Sequence, residues 1–233
     1  YINGEELNSC FDQSPSRWVI NFHDWPLKRE GIDIKYSEFI GDGSQFVSRG
    51  WWFSADDWQK REWLRSEIVP NDYHEPVAAD YPELLKIVIE RVKPDRDKLA
   101  NGDVTARDRA RRWWKFGRPT IKLYSTIAGM NEVLVKAQVS RTWGWTFLPA
   151  NIVYDAKLIV FALGIRYFSV LQSSLHWEWS IQYGTTLKTD MSYTPTTNFE
   201  TFPLPLPIKS TGLRNIGERY YEHRQSIMQT RQE

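Results

Sequence analysis

Twelve tryptophans in 233 residues constrain this chain more than any other feature. Each indole brings a large apolar body and a single N–H donor, so such a set demands a deep interior, a sheltering interface, or both. With 41% hydrophobic and 15% aromatic residues the chain can bury a core. Its length suits one large domain or two small ones. The expectation is that some of the rings form that core while others face a partner.

Apolar spacing predicts where the framework lies. Residues 17–22, Arg-Trp-Val-Ile-Asn-Phe, read as a strand closed by the turn-like Asp24-Trp25-Pro26. From 27 to 79 the pattern becomes irregular around Gly41-Asp42-Gly43 and Trp51-Trp52-Phe53, with a short helix expected over 55–68, and the stretch reads as an insertion. Residues 81–92 place Leu84, Leu85, Ile87, Val88 and Val92 on a helical face, with Pro82 in the first turn and Asp80 available as a cap. Further helices are expected over 103–116 and 119–128, the latter ending at Gly129. Strand-like runs follow at 132–139, 142–148 and 158–163, then a helix over 167–179. The Thr-rich 184–197 is too polar for core helix, and the proline-rich 202–208 must be extended. A last amphipathic helix carries Leu213, Ile216, Tyr220 and Ile227 on one side.

The expected fold is therefore α+β. A central β-sheet from the strands near 17–22 and 132–163 is flanked by helices at 81–128 and 165–180, with a C-terminal helix. The domain would span 1–208, with 27–79 as an insertion and 209–233 as a helical segment leading onward.

Charge patterning excludes some classes and favours one. Thirty basic against 29 acidic residues leave a formal net charge of +1, so any nucleic-acid footprint must be local. From Tyr81 to Lys122 basic residues outnumber acidic ones by 12 to 6. Within that stretch Arg111-Arg112-Trp113-Trp114-Lys115 and Arg118 interleave cations with aromatics, which suits phosphate contact and stacking. The competing reading is a solvated helix face with two buried tryptophans. A lone cysteine, Cys10, forms no internal disulfide and fits a reducing cytoplasm. The four histidines have no metal-ligand spacing. No apolar run reaches the roughly 20 residues that span a bilayer. The chain begins without Met or signal-like regions and stops inside a helical pattern, so it is expected to be an excised domain.

Enzyme chemistry finds little support. Gly41-Asp42-Gly43 lacks the strand-turn-helix context of a nucleotide loop and reads as a turn. Ser173-Ser174 and His176 share one expected helix with no third orienting group, which favours a structural role. Asp24 and Asp56-Asp57 lack the carboxylate-then-lysine arrangement of a metal nuclease. By contrast Lys188, Asp190 and Ser192 alternate, and in an extended backbone they project from one side. In a major groove lysine donates to guanine O6 and N7 while aspartate accepts from cytosine N4. The bland alternative is an ordinary polar surface loop.

Eight motifs in order then form a recognisable set: Y-I-N-G-E-E-L-N from Tyr1, S-R-W-V-I-N-F-H-D-W-P from Ser16, Y-P-E-L-L from Tyr81, V-K-P-D-R from Val92, R-W-W-K-F-G-R-P from Arg112, V-L-Q-S-S-L-H-W-E-W from Val170, T-L-K-T-D-M-S-Y-T-P-T from Thr186 and F-E-T-F-P from Phe199. Together they resemble the recognition region of single-chain bacterial adenine-specific DNA methyltransferases of the type IIG or IIL restriction-modification kind. The resemblance implies that a separate catalytic domain binds S-adenosylmethionine and methylates a flipped adenine, while this region selects the sequence on double-stranded DNA. This chain has neither an Asn-Pro-Pro-Tyr-like motif nor a cofactor-binding glycine loop, so it is expected to hold no cofactor, no metal and no catalytic residue. The resemblance further implies base reading by Lys188, Asp190 and Ser192, although many relatives carry Arg where Ser192 stands. Asp155 is a second candidate contact. Arg107, Arg111, Arg112, Lys115, Arg118 and Lys122 are the expected phosphate contacts, and the C-terminal helix would brace the domain against the methyltransferase domain. The alternative from another class is a protein-interaction or scaffold module of a phage-defence complex, with the tryptophan surface meeting a partner.

Overall fold

The computed structural model describes residues 1–29, 51–117, 120–187, 190–204 and 208–230. Among them, the first elements are α1 (Gly4–Ser9), β1 (Lys28–Arg29), α2 (Asp57–Ser66), β2 (Ile68–Val69), α3 (Pro82–Arg91), α4 (Lys93–Asp97), α5 (Val104–Arg111) and α6 (Ile121–Ile127). There follow β3 (Glu132–Ala137), β4 (Val139–Ser140), β5 (Thr146–Pro149), β6 (Leu158–Phe161), α7 (Ile165–Leu171), α8 (Ser174–Tyr183), β7 (Thr185–Leu187), β8 (Asp190–Ser192) and α9 (Thr211–Thr230). The mixed helix-and-sheet architecture agrees with the α+β expectation. The chain divides into two compact units, one built from 1–19 and 122–233, the other from 20–121.

In the first unit β3 is the organising strand. It pairs antiparallel with β5 on one side and β6 on the other, and all but its first residue are buried. Alternation then sorts its side chains onto two faces. Val133, Val135 and Ala137 join Ile2, Leu7, Ile127 and Leu148 in one apolar cluster beside α1 and α6. Leu134 points the other way, into Trp145, Phe168, Leu171 and Tyr193. Both faces of this short sheet are thus covered, which explains the almost unbroken apolar run from Val133 to Val135. The N-terminus is held to this layer by a parallel bridge between Ile2 and Tyr154, and α1 is closed by a capping box between Asn3 and Glu6.

The helix expected over 167–179 is two helices. Ser173 accepts from the His176 N–H and caps α8, so the chain turns after Leu171. The C-terminal helix is present, but its packed face differs from the expected one. Leu213, Gly217, Tyr221 and Arg224 face inward, while Ile216, Tyr220 and Ile227 are exposed. The reason is steric. A Cβ at Gly217 would stand 2.3 Å from Ser169 Oγ and 2.8 Å from the Ile165 carbonyl oxygen, so α9 meets α7 at a position where a side chain is missing.

The second unit gathers Phe22, Ala78, Val88 and Trp114, with Leu85, Val92 and Trp25 packed against them. Helix α2 carries Asp56 as its cap, bonded to Gln59 N at 2.7 Å, and α5 carries Asp103, bonded to Ala106 N at 2.7 Å. Asp80 does not cap α3. Its carboxylate instead accepts from Val77 N at 3.0 Å and pairs with Arg29. On α3, Val88 is buried with Leu85 and Val92 half-buried, while Leu84 and Ile87 remain exposed.

Two expectations about the sheet are corrected. Residues 17–22 form no strand, and Trp18 there is fully exposed. The chain passes from one unit to the other at this point and finds no partner strand among the described residues, so β-branched content alone does not make it extended sheet. Nor is there one central sheet. Among the described residues there are three small ones, β1-β2, β5-β3-β6 and β4-β8-β7, and the helices between 82 and 111 lie in the unit that lacks β3. The Gly41-Asp42-Gly43 turn lies outside the described residues.

Candidate nucleic-acid interface

The polar segment after α8 is a β-hairpin. Strand β7 pairs antiparallel with β8, and β8 pairs on its other edge with β4. Register places Leu187 opposite Asp190, Thr185 opposite Ser192, and Ser192 opposite Val139. Tyr193, one residue past β8, is wholly buried in the second apolar cluster. Alternation therefore turns Met191 and Tyr193 to the protein side and Asp190 and Ser192 to the other. The spacing expected from sequence is realised for these two residues. Lys188, which precedes Asp190 by two positions, lies outside the described residues.

The hairpin is firmly mounted. Asn198 is buried, accepts from Thr194 N at 2.8 Å, and donates to the Ser180 carbonyl at 3.3 Å. Gly184 opens β7 where a Cβ would lie 2.3 Å from the Ser180 oxygen and 2.5 Å from Asn198 Nδ2, so only glycine passes between helix and loop. His176 is fully buried, with Nδ1 near the Leu171 carbonyl at 3.1 Å and Nε2 near the Asn198 carbonyl and the Tyr193 hydroxyl, both at 3.3 Å. Burial holds its pKa below the ordinary histidine value. This is the structural role expected of it, since both ring nitrogens face partners inside the protein.

Beneath the hairpin lies a feature the sequence reading missed. Lys136 is only 2% exposed, and its Nζ stands 4.4 Å from the Trp143 ring centroid, 5.8 Å from Trp145 and 5.9 Å from Tyr193. Burial lowers its pKa to about 8. The Trp143 and Trp145 indole N–H groups are also buried, without a hydrogen-bond partner among the described residues. The only sequence signal was a lysine inside a strand whose neighbours are apolar.

Arg141, next after β4, was likewise not singled out. Its side chain is 82% exposed and its Nε donates to Asp190 Oδ1 at 2.9 Å.

The expected phosphate contacts separate. Arg107 is exposed on α5. Arg111 donates to the Arg65 carbonyl at 2.7 Å and to Asp108 at 3.1 Å, and Arg112 also pairs with Asp108. These contacts hold the Asp108 carboxyl below its usual range. Lys122 is exposed but belongs to the other unit, and Arg118 lies outside the described residues.

Lys115 is corrected. Its side chain is 4% exposed, and Nζ donates to the Asp24 carbonyl at 3.2 Å, Asp24 Oδ1 at 3.0 Å and Glu67 Oε2 at 2.6 Å. All three donors are used inside the unit, so none is left for a phosphate. Asp155 is occupied too, with one carboxylate oxygen taking the Tyr1 hydroxyl and the other Lys157 N at 2.8 Å. Each oxygen so engaged retains one further acceptor site. Burial and that aspartate push the Tyr1 hydroxyl pKa up to about 12. Asp24 and Asp56 are likewise committed, to an ion pair and a helix cap. No cluster of metal-ligating side chains occurs among the described residues.

Comparison with known proteins places this arrangement. No curated protein matches the chain. A solved structure of the type IIL restriction-modification enzyme MmeI in complex with DNA is similar at 16% identity, with a TM-score of 0.47 over 65% of this chain and 20% of that one. The chain thus spans about a fifth of that protein's length. The family described as the target recognition domain of MmeI matches residues 65–206, which include α3 to α8 and the whole β4-β8-β7 sheet. The chain belongs to the MmeI target recognition domain family.

Proposed function

We propose that this chain selects a base sequence in double-stranded DNA within a bacterial, cytoplasmic restriction-modification enzyme that methylates adenine N6 with S-adenosylmethionine. The observation that carries the reading is the outward face of β8, where Asp190 and Ser192 project from a hairpin whose other face is anchored by Tyr193. A two-stranded ribbon fits the major groove, which is about 12 Å wide. Lys188 and Asp190 would then discriminate bases, and Arg107, Arg111, Arg112, Arg118 and Lys122 would contact phosphates. Base contacts specify and phosphate contacts position, so the two sets have separable effects. Membership of a target recognition family supports this division.

S-adenosylmethionine would be held by a catalytic domain outside this chain, and no residue described above is assigned to it. No helix among the described residues is long and apolar enough to cross a membrane. The exposed stripe of Ile216, Tyr220 and Ile227 on α9 suits packing against that catalytic domain. Residues 27–79 would be an insertion within a domain of 1–208, and 209–233 the connection to the remainder.

The test is to map N6-methyladenine in a host expressing the parent enzyme, with Lys188 and Asp190 unchanged and then exchanged. A methylated motif that alters at one defined position supports the reading. An unaltered motif moves recognition away from the hairpin, and no methylation at all removes the methyltransferase assignment.

A scaffold reading from a different class draws on Trp51, Phe53 and Trp58, which are exposed. Salt separates the two. DNA binding through phosphates should weaken with a log-log slope of about −0.9 per phosphate, whereas an apolar protein contact barely responds.

A further inference from the structure

We infer that Arg141 is a base-reading residue, a guanine-binding guanidinium held in position by Asp190. The inference rests on the DNA-reading function proposed above and adds a residue to it.

Arg141 follows directly on β4, whose Ser140 pairs with Met191. One step further in the same register sets Arg141 against Asp190, across strands that are 49 residues apart in sequence. Both side chains emerge on the face that Tyr193 turns away from, with Ser192, Thr185 and Leu187 as neighbours on that face. Arg141 is thus part of the same outward row as Asp190 and Ser192, although nothing in its local sequence marks it.

The bonding pattern gives it a direction. Asp190 accepts from Nε at 2.9 Å, which leaves both terminal nitrogens without a hydrogen bond among the described residues. A guanidinium fixed at Nε presents those two nitrogens as a planar fork, and the guanine major-groove edge offers two acceptors, O6 and N7, at matching spacing. Lysine, a point charge on a flexible stem, does not reproduce the fork. With the Arg141 side chain 82% exposed and that of Asp190 30% exposed, the pair itself adds little stability. A pre-aimed guanidinium on a groove-sized ribbon has a clearer use.

Asp190 then has two effects. It lowers the repulsion between its own carboxylate and a phosphate-rich surface by engaging a cation, and it fixes the rotamer of the residue that touches the base. Exchanging Asp190 should therefore disturb the position read by Arg141 as well as its own.

The experiment is selection of duplexes from a random library by the 233-residue chain, with sequencing of the bound pool at low salt. Wild type is compared with Arg141→Ala, Arg141→Lys, Asp190→Asn and Lys188→Ala, with equal thermal midpoints required of each variant. Arg141→Ala should lose a guanine preference at one position, by about 10- to 100-fold, while other positions persist. Arg141→Lys should lose most of the same preference, and Asp190→Asn should weaken it. An unchanged guanine preference in Arg141→Ala, alongside an altered motif in Lys188→Ala, would refute the role of Arg141 and leave the hairpin reading intact. A uniform loss of affinity without loss of preference would make Arg141 a phosphate contact and overturn the inference. A wild-type chain that enriches no motif would refute DNA reading itself, and the inference with it.

Discussion

Replacing Lys136 by methionine should stabilise the first unit at neutral pH, and the gain should vanish as pH rises. The side chain is 2% exposed, and burial lowers its pKa from 10.5 to about 8. At roughly 1.36 kcal/mol per unit, holding the charged form inside costs about 3 kcal/mol relative to the unfolded chain. The rings of Trp143, Trp145 and Tyr193 return part of this, up to about 2 kcal/mol for a desolvated cation over aromatic faces. The net penalty at pH 7 is then about 1–3 kcal/mol, and methionine removes it while filling similar space. The sign with pH follows from the depressed pKa. Between pH 10.5 and 8 the unfolded chain binds a proton that the folded one does not, so wild-type stability falls as pH falls through that window. Urea unfolding followed by tryptophan fluorescence at pH 7 and pH 10 measures both effects, because Trp143 and Trp145 lie against the lysine. A Lys136→Met variant less stable than wild type at pH 7, or a difference that does not shrink towards pH 10, would refute the argument. Either result would mean that ring contacts outweigh desolvation, or that the ammonium has a partner not described above.

Three other perturbations probe different contacts. Gly217→Ala places a methyl against Ser169 and the Ile165 carbonyl, and should cost about 1–3 kcal/mol despite a helix-propensity gain of about 1 kcal/mol. A raised thermal midpoint would show that α9 is not seated on α7. Lys115→Met strands Glu67, whose carboxyl burial already raises its pKa, so denaturant unfolding should report a loss of about 3–5 kcal/mol, largely recovered by a second change, Glu67→Gln. A Lys115→Met variant as stable as wild type would instead reopen that residue to a surface role. Changing Arg107, Arg111 and Arg112 together to alanine should flatten the salt dependence of DNA binding by up to about 0.9 per lost phosphate contact without altering the preferred sequence. A changed preference would assign these residues to bases.

Sequence made the strands from 132 to 163 and the positions of most helices legible, because their apolar residues recur at the period each element needs. It failed where the deciding partner is distant in the chain. Residues 17–22 have strand composition but no strand beside them among the described residues. The inner face of α9 was misread because its contacts are made by Gly217, Tyr221 and Arg224, which a hydrophobic stripe does not register. Lys115 looked like part of a cationic surface, yet its two carboxylate partners, Asp24 and Glu67, come from 91 and 48 residues away. The shared face of Asp190 and Ser192 was legible because their alternation is local. Arg141 escaped notice because its relation to them exists only in the register of β4 against β8.

That contrast bears on how specificity can change in such a fold. The hairpin is fixed from below by Tyr193, His176 and Asn198, and Gly184 sets where it begins, so side chains on its outward face can be exchanged without moving the backbone that carries them. Arg141, with its side chain 82% exposed, can be exchanged at little cost in stability, typically within about 0.5 kcal/mol. Asn198, which is buried, and Gly184, where a Cβ would stand 2.3 Å from the Ser180 oxygen, have the opposite property: on the proposed reading, a change at either should weaken every base preference together. Exchanges confined to Arg141, Lys188, Asp190 and Ser192 should alter preferences singly, except at Arg141 and Asp190, where one side chain orients the other. Those two positions should therefore be changed as a pair, and a double-mutant cycle on base preference should show coupling there and near-additivity between Arg141 and Ser192.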